Sequence, residues 1–346
     1  MTADYVYHRL QFKQASGTSR GILKTKDSWY LKLTDKSGHS GIGECSTISK
    51  LSPDLMKDLD TELTKLVSAI NQGFQISLDN PIFEGLPAMK FAYETAKLDL
   101  SRGGRKQLFE SGFTNEVGIP INGLVWMGTK DFMFQQINRL LSTGYRCIKI
   151  KIAAINFEDE LNLISYIRKQ FNTSDLEIRV DANGGFQNNE ALEKLKRLSD
   201  YQIHSIEQPI MPGQVDKMAE LCSSTPIPIA LDEELISINS SEQKEQLLKD
   251  IKPQYIILKP SLIGGFATAE EWISLCKEYN IGWWVTSALE ANIGLNAIAQ
   301  WTATLGNQMY QGLGTGQLFT NNIKSPLYID NAELHYGTGQ WQNIIF

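Results

Sequence analysis

The sequence predicts an α/β protein: a (β/α)7β barrel of the TIM type, with an N-terminal α+β capping domain completed by the C-terminal tail. Three observations predict it. The run Cys147-Ile148-Lys149-Ile150-Lys151-Ile152 alternates apolar and charged residues, the period of a β-strand, so Lys149 and Lys151 share one face and the isoleucines the other. Four more apolar runs downstream end in an ionisable residue, and Asp181, Glu207, Asp232 and Lys259 follow Lys151 at intervals of 25 to 30 residues. Each interval is about one strand, one helix and two loops, and a charged residue at successive strand tips is what the active face of such a barrel requires. Finally, 346 residues accommodate one barrel of ~250 residues and a smaller domain. The Lys-x-Lys run alone would also suit a solvated edge strand; the register of the five tips decides against it.

In chain order, residues 1–45 read as strands. Asp35-Lys36-Ser37-Gly38 is a hairpin turn signal between a run at 21–33 and its partner at 41–45. Residues 15–21 are small, polar and glycine-flanked, and read as a flexible hairpin tip. Ser52-Pro53 reads as the start of a helix, with Leu55, Leu59, Leu63, Leu66 and Ile70 as its apolar stripe and Gly73 past its end. A second helix is expected over 88–100, stopped by Gly103-Gly104. Strands followed by helices indicate a separate α+β domain.

From about 117 the pattern becomes strict strand–helix alternation. Strands are expected at 117–124, 147–151, 176–181, 203–207, 226–232, 255–259, 281–287 and 309–313. Helices are expected at 129–141, 157–171, 188–198, 216–222, 241–249, 267–279 and 293–304. The tail beyond 318 lacks an eighth helix and is expected to pack back on the first domain. The expected division is therefore 1–114 for the cap, 115–318 for the barrel and 319–346 for the tail.

Composition narrows the function classes. The chain is 42% hydrophobic and 21% charged, the balance of an ordinary globular protein. A net charge of −6 with no basic block argues against a nucleic-acid surface. No apolar run approaches the ~20 residues that span a membrane. Residues 1–10 carry charges and no apolar core, so no signal peptide is expected. Cys45, Cys147, Cys222 and Cys276 form no C-x-x-C pair, which suits buried, reduced thiols and a cytoplasmic location.

The ring of charges has a chemistry. Asp181, Glu207 and Asp232 on three consecutive strand tips repel one another and need a cation. An all-oxygen donor set without histidine or cysteine suits Mg²⁺ rather than zinc. Lys151 and Lys259 would face each other across the barrel mouth. A lysine becomes a useful base when its pKa falls, and a neighbouring ammonium such as Lys149, or a divalent cation, pushes it down. A cation can also hold a substrate carboxylate and stabilise the enediolate left when its α-proton is removed. The constellation reads as proton abstraction next to a carboxylate, with a small-molecule carboxylate as the expected partner.

At these residues the chain resembles the enolase superfamily, muconate-lactonizing subgroup. The resemblance rests on Lys149-Ile150-Lys151, Asp181-Ala182-Asn183, Glu207-Gln208-Pro209, Asp232-Glu233 and Leu258-Lys259-Pro260, and spans nearly the whole chain. It implies Mg²⁺, with Mn²⁺ able to substitute, on Asp181, Glu207 and Asp232. It implies Lys151 and Lys259 on opposite faces of the substrate and Lys149 as an auxiliary cation. Thr286-Ser287-Ala288-Leu289-Glu290 with Gly294-Leu295, and Gly312-Leu313-Gly314-Thr315-Gly316, resemble the branch that serves menaquinone biosynthesis. The implied reaction is dehydration of 2-succinyl-6-hydroxy-2,4-cyclohexadiene-1-carboxylate to 2-succinylbenzoate. Arg20, Asn183, Ser287, Gly312, Gly314 and Thr315 are then expected to contact substrate, with the loops 16–20 and 46–50 closing over its succinyl arm.

The same ring would serve an N-succinylamino acid racemase, a dipeptide epimerase or a muconate cycloisomerase, and a non-catalytic barrel acting as a binding module is an alternative of another class. Dipeptide epimerases are expected to hold the substrate ammonium with an Asp-x-Asp pattern at the eighth-strand tip. Here no carboxylate occurs from 308 to 329, and a buried ammonium without a partner is costly.

Overall fold

The chain opens with a long antiparallel hairpin. The computed structural model describes residues 1–18 and 21–346. β1 (Thr2–Thr18) pairs with β2 (Gly21–Thr34), which pairs with β3 (Ser40–Ser46), and a bulge between Gln11 and Ser16 shifts the register. The hairpin tip expected at 15–21 is therefore strand up to Thr18. Gly17 forms an antiparallel bridge with Met127, and a Cβ there would lie 2.5 Å from the Met127 carbonyl oxygen, so only glycine allows the contact.

α1 (Leu59–Asn71) and α2 (Pro87–Ser101) cover one face of this sheet. Leu59, Leu63, Leu66 and Ile70 form the buried stripe of α1, as their spacing requires. The helix does not begin at Ser52-Pro53: residues Pro53–Met56 make one 3-10 turn and Leu55 is exposed. Asp54 explains the break. Its buried carboxylate accepts hydrogen bonds from Ala88 N and Met89 N, and so caps α2 instead of continuing α1.

The barrel follows. The expected strand at 117–124 is split, because β4 (Ile119–Pro120) joins the tail sheet and only β5 (Gly123–Val125) enters the barrel. Then come α3 (Lys130–Ser142), β6 (Cys147–Lys151), α4 (Phe157–Arg168), β7 (Glu177–Asp181), α5 (Asn188–Ser199), β8 (Ser205–Glu207), α6 (Val215–Ser224), β9 (Ile229–Leu231) and α7 (Ser241–Ile251). β10 (Tyr255–Leu258), the single turn α8 (Pro260–Ile263), α9 (Phe266–Tyr279), β11 (Gly282–Val285) and α10 (Asn292–Thr304) complete the alternation. β5 to β11 form one seven-stranded sheet in sequence order, all parallel, with core side chains between sheet and helices.

The eighth strand expected at 309–313 is not a regular strand. Two parallel bridges, Ile121↔Gln311 and Thr286↔Gly312, close the barrel there. Gly312 permits this, since a Cβ would lie 2.3 Å from Thr286 Cγ2. The tail continues as a hairpin, β12 (Leu327–Asp330) and β13 (Glu333–Tyr336), turned by Asn331 and Ala332 at positive φ, and β13 pairs with β4. Before it, Phe319 bridges Phe12, and Asn321 hydrogen-bonds the edge of β1 through Arg9 and Gln11.

The cap is fastened to the barrel by buried carboxylates. Glu94 of α2 accepts from Phe266 N at 2.6 Å and Ala267 N at 3.1 Å, the first donors of α9. Burial pushes its carboxyl up while these donors pull it down. Glu94→Ala leaves both donors without their charged partner, and should cost of the order of 3 kcal/mol. The urea midpoint is expected to fall at unchanged slope; an unchanged midpoint would remove Glu94 from the cap–barrel joint.

Candidate active site

β6 is buried along its whole length, as a parallel barrel strand covered on both faces should be. Its alternation turns Lys149 and Lys151 inward, where both residues are buried. Asp181 ends β7 and Glu207 ends β8, in register with each other. Asp232 follows β9 and Lys259 follows β10, where Pro260 starts the next turn. All six residues that the sequence marked are therefore brought together at one barrel mouth.

They form an alternating chain of charge. Lys151 Nζ lies 2.5 Å from Asp181 Oδ2, and Lys149 Nζ 3.0 Å from the same oxygen and 2.7 Å from Glu207 Oε2. Lys259 Nζ lies 3.6 Å from Glu207 Oε1 and pairs with Asp232. β6 and β10 are four strands apart in the sheet order, so Lys151 and Lys259 approach the mouth from opposite sides.

The three lysines are not equivalent. Burial depresses the Lys151 ammonium; Asp181 opposes this, but Lys149 and Lys259 add to the depression, and the net direction is down. Burial also opposes charge on Lys149 and Lys259. There the carboxylates outweigh it, Glu207 and Asp181 for the first and Asp232 and Glu207 for the second, and both rise. Asp181 is held well below the usual carboxylate range because its surrounding lysines overcome burial. Asp232 goes the other way, raised by burial and by Glu233 beside it.

Among the described residues no three acidic, histidine or cysteine side chains stand as a ready-made cation cage. Each of the three carboxylates is engaged by a lysine. The donor set nevertheless fits a hard divalent cation: three buried carboxylates on adjacent strand tips, without soft ligands. Glu207 Oε1 is buried and makes no hydrogen bond, and Asp232 resists ionisation, so the lysines leave part of the demand for positive charge unmet.

A second layer holds these groups, with Asn183 expected from the sequence as a substrate contact and Gln208 marked only within the Glu207-Gln208-Pro209 motif. Asn183, at φ 45, accepts from Lys151 Nζ at 2.7 Å and donates to Glu233 Oε1 at 3.0 Å. Gln208, at φ 39, accepts from Asp232 N and Glu234 N and donates to Glu234 Oε2, tying the β8 tip to the β9 tip. A polar residue directly after a strand tip is the signal that could have marked Gln208.

The mouth opens into a cavity of about 1090 Å³. Asn183, Ser287, Gly312, Gly314 and Thr315 line it together with the three lysines. Ser49 and Lys50 of the loop 46–50 also reach it, whereas Arg20 lies outside the described residues. Asp330 lines the cavity too, just beyond the carboxylate-free stretch 308–329, so that side is less free of acid than the sequence implied.

A family model described as "Enolase C-terminal domain-like" matches residues 133–339. The chain is 46% identical to the o-succinylbenzoate synthase of Desulfotalea psychrophila over 96% of its own length and 98% of that protein. The crystal structure of MenC from Desulfotalea psychrophila LSv54 matches with a TM-score of 0.87 and 43% identity, over 97% of this chain and 99% of that one. The L-Ala-D/L-Glu epimerase from Bacillus subtilis matches with a TM-score of 0.84 at 19% identity, over 97% and 96%, which is a likeness of fold alone.

Proposed function

The chain belongs to the enolase superfamily, in the enolase C-terminal domain-like family, and from that membership and its site we infer that it is a carbon–oxygen lyase, converting 2-succinyl-6-hydroxy-2,4-cyclohexadiene-1-carboxylate to 2-succinylbenzoate in menaquinone biosynthesis. The ring of three lysines and three carboxylates on five consecutive strand tips supports proton abstraction next to a carboxylate, and the likeness to a relative over nearly its full length carries the choice of dehydration. The full-length relative with 46% identity has the same activity in its name.

In this reading Asp181, Glu207 and Asp232 would hold Mg²⁺, or Mn²⁺ in its place, and positive charge bound there would favour the negative charge that builds on the substrate carboxylate. Lys151, the ammonium that its surroundings push down, removes the proton next to the carboxylate as a neutral amine. The electron pair returns to form the ring double bond as the carbon–hydroxyl bond breaks. Protonated Lys151 gives its proton to the departing hydroxyl, which leaves as water, and the ring becomes aromatic. Lys259 stays charged on the opposite face and stabilises the enediolate, and Lys149 keeps the base flanked by positive charge.

Residues 1–114 act as the cap, 115–318 as the barrel and 319–346 as the tail that fastens them. The succinyl arm lies against Gly312 and Gly314, where missing side chains leave room, beside the loop 46–50. Four buried, unpaired cysteines suit the reducing cytoplasm, where we place the enzyme.

The competing reading is a racemase or epimerase, which needs only proton removal and return. Incubation in deuterated water separates the two. Purified protein with Mg²⁺ is expected to form 2-succinylbenzoate while dipeptides keep their α-hydrogen. Rapid α-deuteration of a dipeptide without aromatic product would overturn the dehydratase reading. Deuteration of an N-succinylamino acid alongside aromatic product would be a second activity of the same site.

A further inference from the structure

Behind the cavity wall lies a buried relay of hydroxyl groups. Glu290 is fully buried; Ser261 Oγ donates to its Oε1 and Ser287 Oγ to its Oε2. Thr315 Oγ1 donates to Ser287 Oγ at 2.7 Å. Ser287 and Thr315 line the cavity while Glu290 lies behind them.

The direction of this relay is fixed. A carboxylate offers only lone pairs, and each hydroxyl has a single proton. The Ser287 proton is committed to Glu290, so Ser287 can only accept from Thr315, and the Thr315 proton is committed to Ser287. What Thr315 Oγ1 has left for the cavity is lone pairs. The cap reaches this segment through Lys26 and Glu44. Lys26 is buried and hydrogen-bonded to Ser46, and burial pushes its ammonium down against the pull of Glu44 and Glu290. Glu44 itself accepts from Ser28 Oγ at 2.9 Å, Ala291 N at 2.8 Å and Gly294 N at 2.9 Å, which fixes the chain directly after Glu290.

We propose that Thr315, polarised through Ser287 by Glu290, is a specificity-determining residue that accepts a hydrogen bond from the substrate's ring hydroxyl and disfavours a carboxylate. This deepens, and rests on, the dehydratase reading. With its carboxylates ionised the substrate has one hydrogen-bond donor, the hydroxyl that leaves. The product, 2-succinylbenzoate, has none. Thr315 therefore distinguishes substrate from product, and its contact is lost as water departs, which favours product release.

The test compares KM for the cyclohexadiene substrate with the inhibition constant for 2-succinylbenzoate, using the full chain with Mg²⁺. Thr315→Val keeps the shape and removes the acceptor. It should raise KM about tenfold, the worth of one hydrogen bond, and leave the product constant within about twofold. Ser287→Ala removes the acceptor for the Thr315 proton and frees that proton for the cavity, so the product dicarboxylate should bind several-fold tighter. A residue that merely shapes the wall would move both ligands together. Equal weakening of substrate and product by Thr315→Val, or no gain in product affinity in Ser287→Ala, would overturn the proposal. Parent protein that forms no 2-succinylbenzoate would instead overturn the dehydratase reading itself.

Discussion

Lys151→Ala is expected to lower kcat by ~10²–10⁴, the loss typical of a missing general base, in protein that remains folded. Lys151 combines three properties that no other residue at the mouth shares. Its net shift is toward the neutral amine, driven by burial and by the Lys149 and Lys259 ammonium groups against the pull of Asp181. Its amine is held by Asp181 and Asn183, so its direction is set. It stands across the mouth from Lys259, whose shift runs the other way. Lys259→Ala should also be severe, because a cation facing the enediolate is lost. Lys149→Arg should be milder, since the charge that depresses Lys151 is kept. Single-turnover measurement separates this loss from effects on binding. A Lys151→Ala protein that turned over at the parental rate would remove Lys151 from the chemistry.

Removal of divalent metal is expected to abolish turnover, and Mg²⁺ or Mn²⁺ to restore it. Three buried carboxylates cannot share one mouth without compensating charge. The lysines compensate only in part, since Glu207 Oε1 remains without a hydrogen bond and Asp232 is pushed well above the usual carboxylate range by burial and by Glu233. Asp232→Asn replaces a charged hard ligand with a neutral amide, and should weaken Mg²⁺ binding measured by calorimetry on metal-depleted protein. Full activity in excess chelator, with calorimetry showing no Mg²⁺ uptake, would contradict the metal assignment.

Much of this site could be read from the chain because barrel strands place function at their tips. Lys151, Asp181, Glu207, Asp232 and Lys259 each follow an apolar run, and their spacing alone brings them to one mouth. The period of two in β6 gave the shared face of Lys149 and Lys151. Where local pattern is weak, the sequence misled. The Gly312-Leu313-Gly314-Thr315-Gly316 segment has no strand period, and it closes the barrel through single bridges that only the neighbouring strands define. Asp54 looked like the second residue of a helix, yet its carboxylate serves the α2 terminus more than thirty positions away. Glu94 and Glu44 sit in runs that read as helix and strand, and nothing local says that they cap α9 and α10 across the domain joint. Such contacts join residues more than 170 positions apart, and no window of sequence contains both partners. The Ser287–Thr315 relay belongs to the same class, because its direction depends on where the protons of three separate segments end.

Turnover of 2-succinyl-6-hydroxy-2,4-cyclohexadiene-1-carboxylate by the purified full chain with Mg²⁺, followed by ultraviolet absorbance as the diene becomes an aromatic ring, is the most direct measurement. The expected result is 2-succinylbenzoate with kcat/KM at or above ~10⁴ M⁻¹ s⁻¹, the lower end of the usual enzymatic range. A rate no greater than that of Mg²⁺ in buffer alone would contradict it.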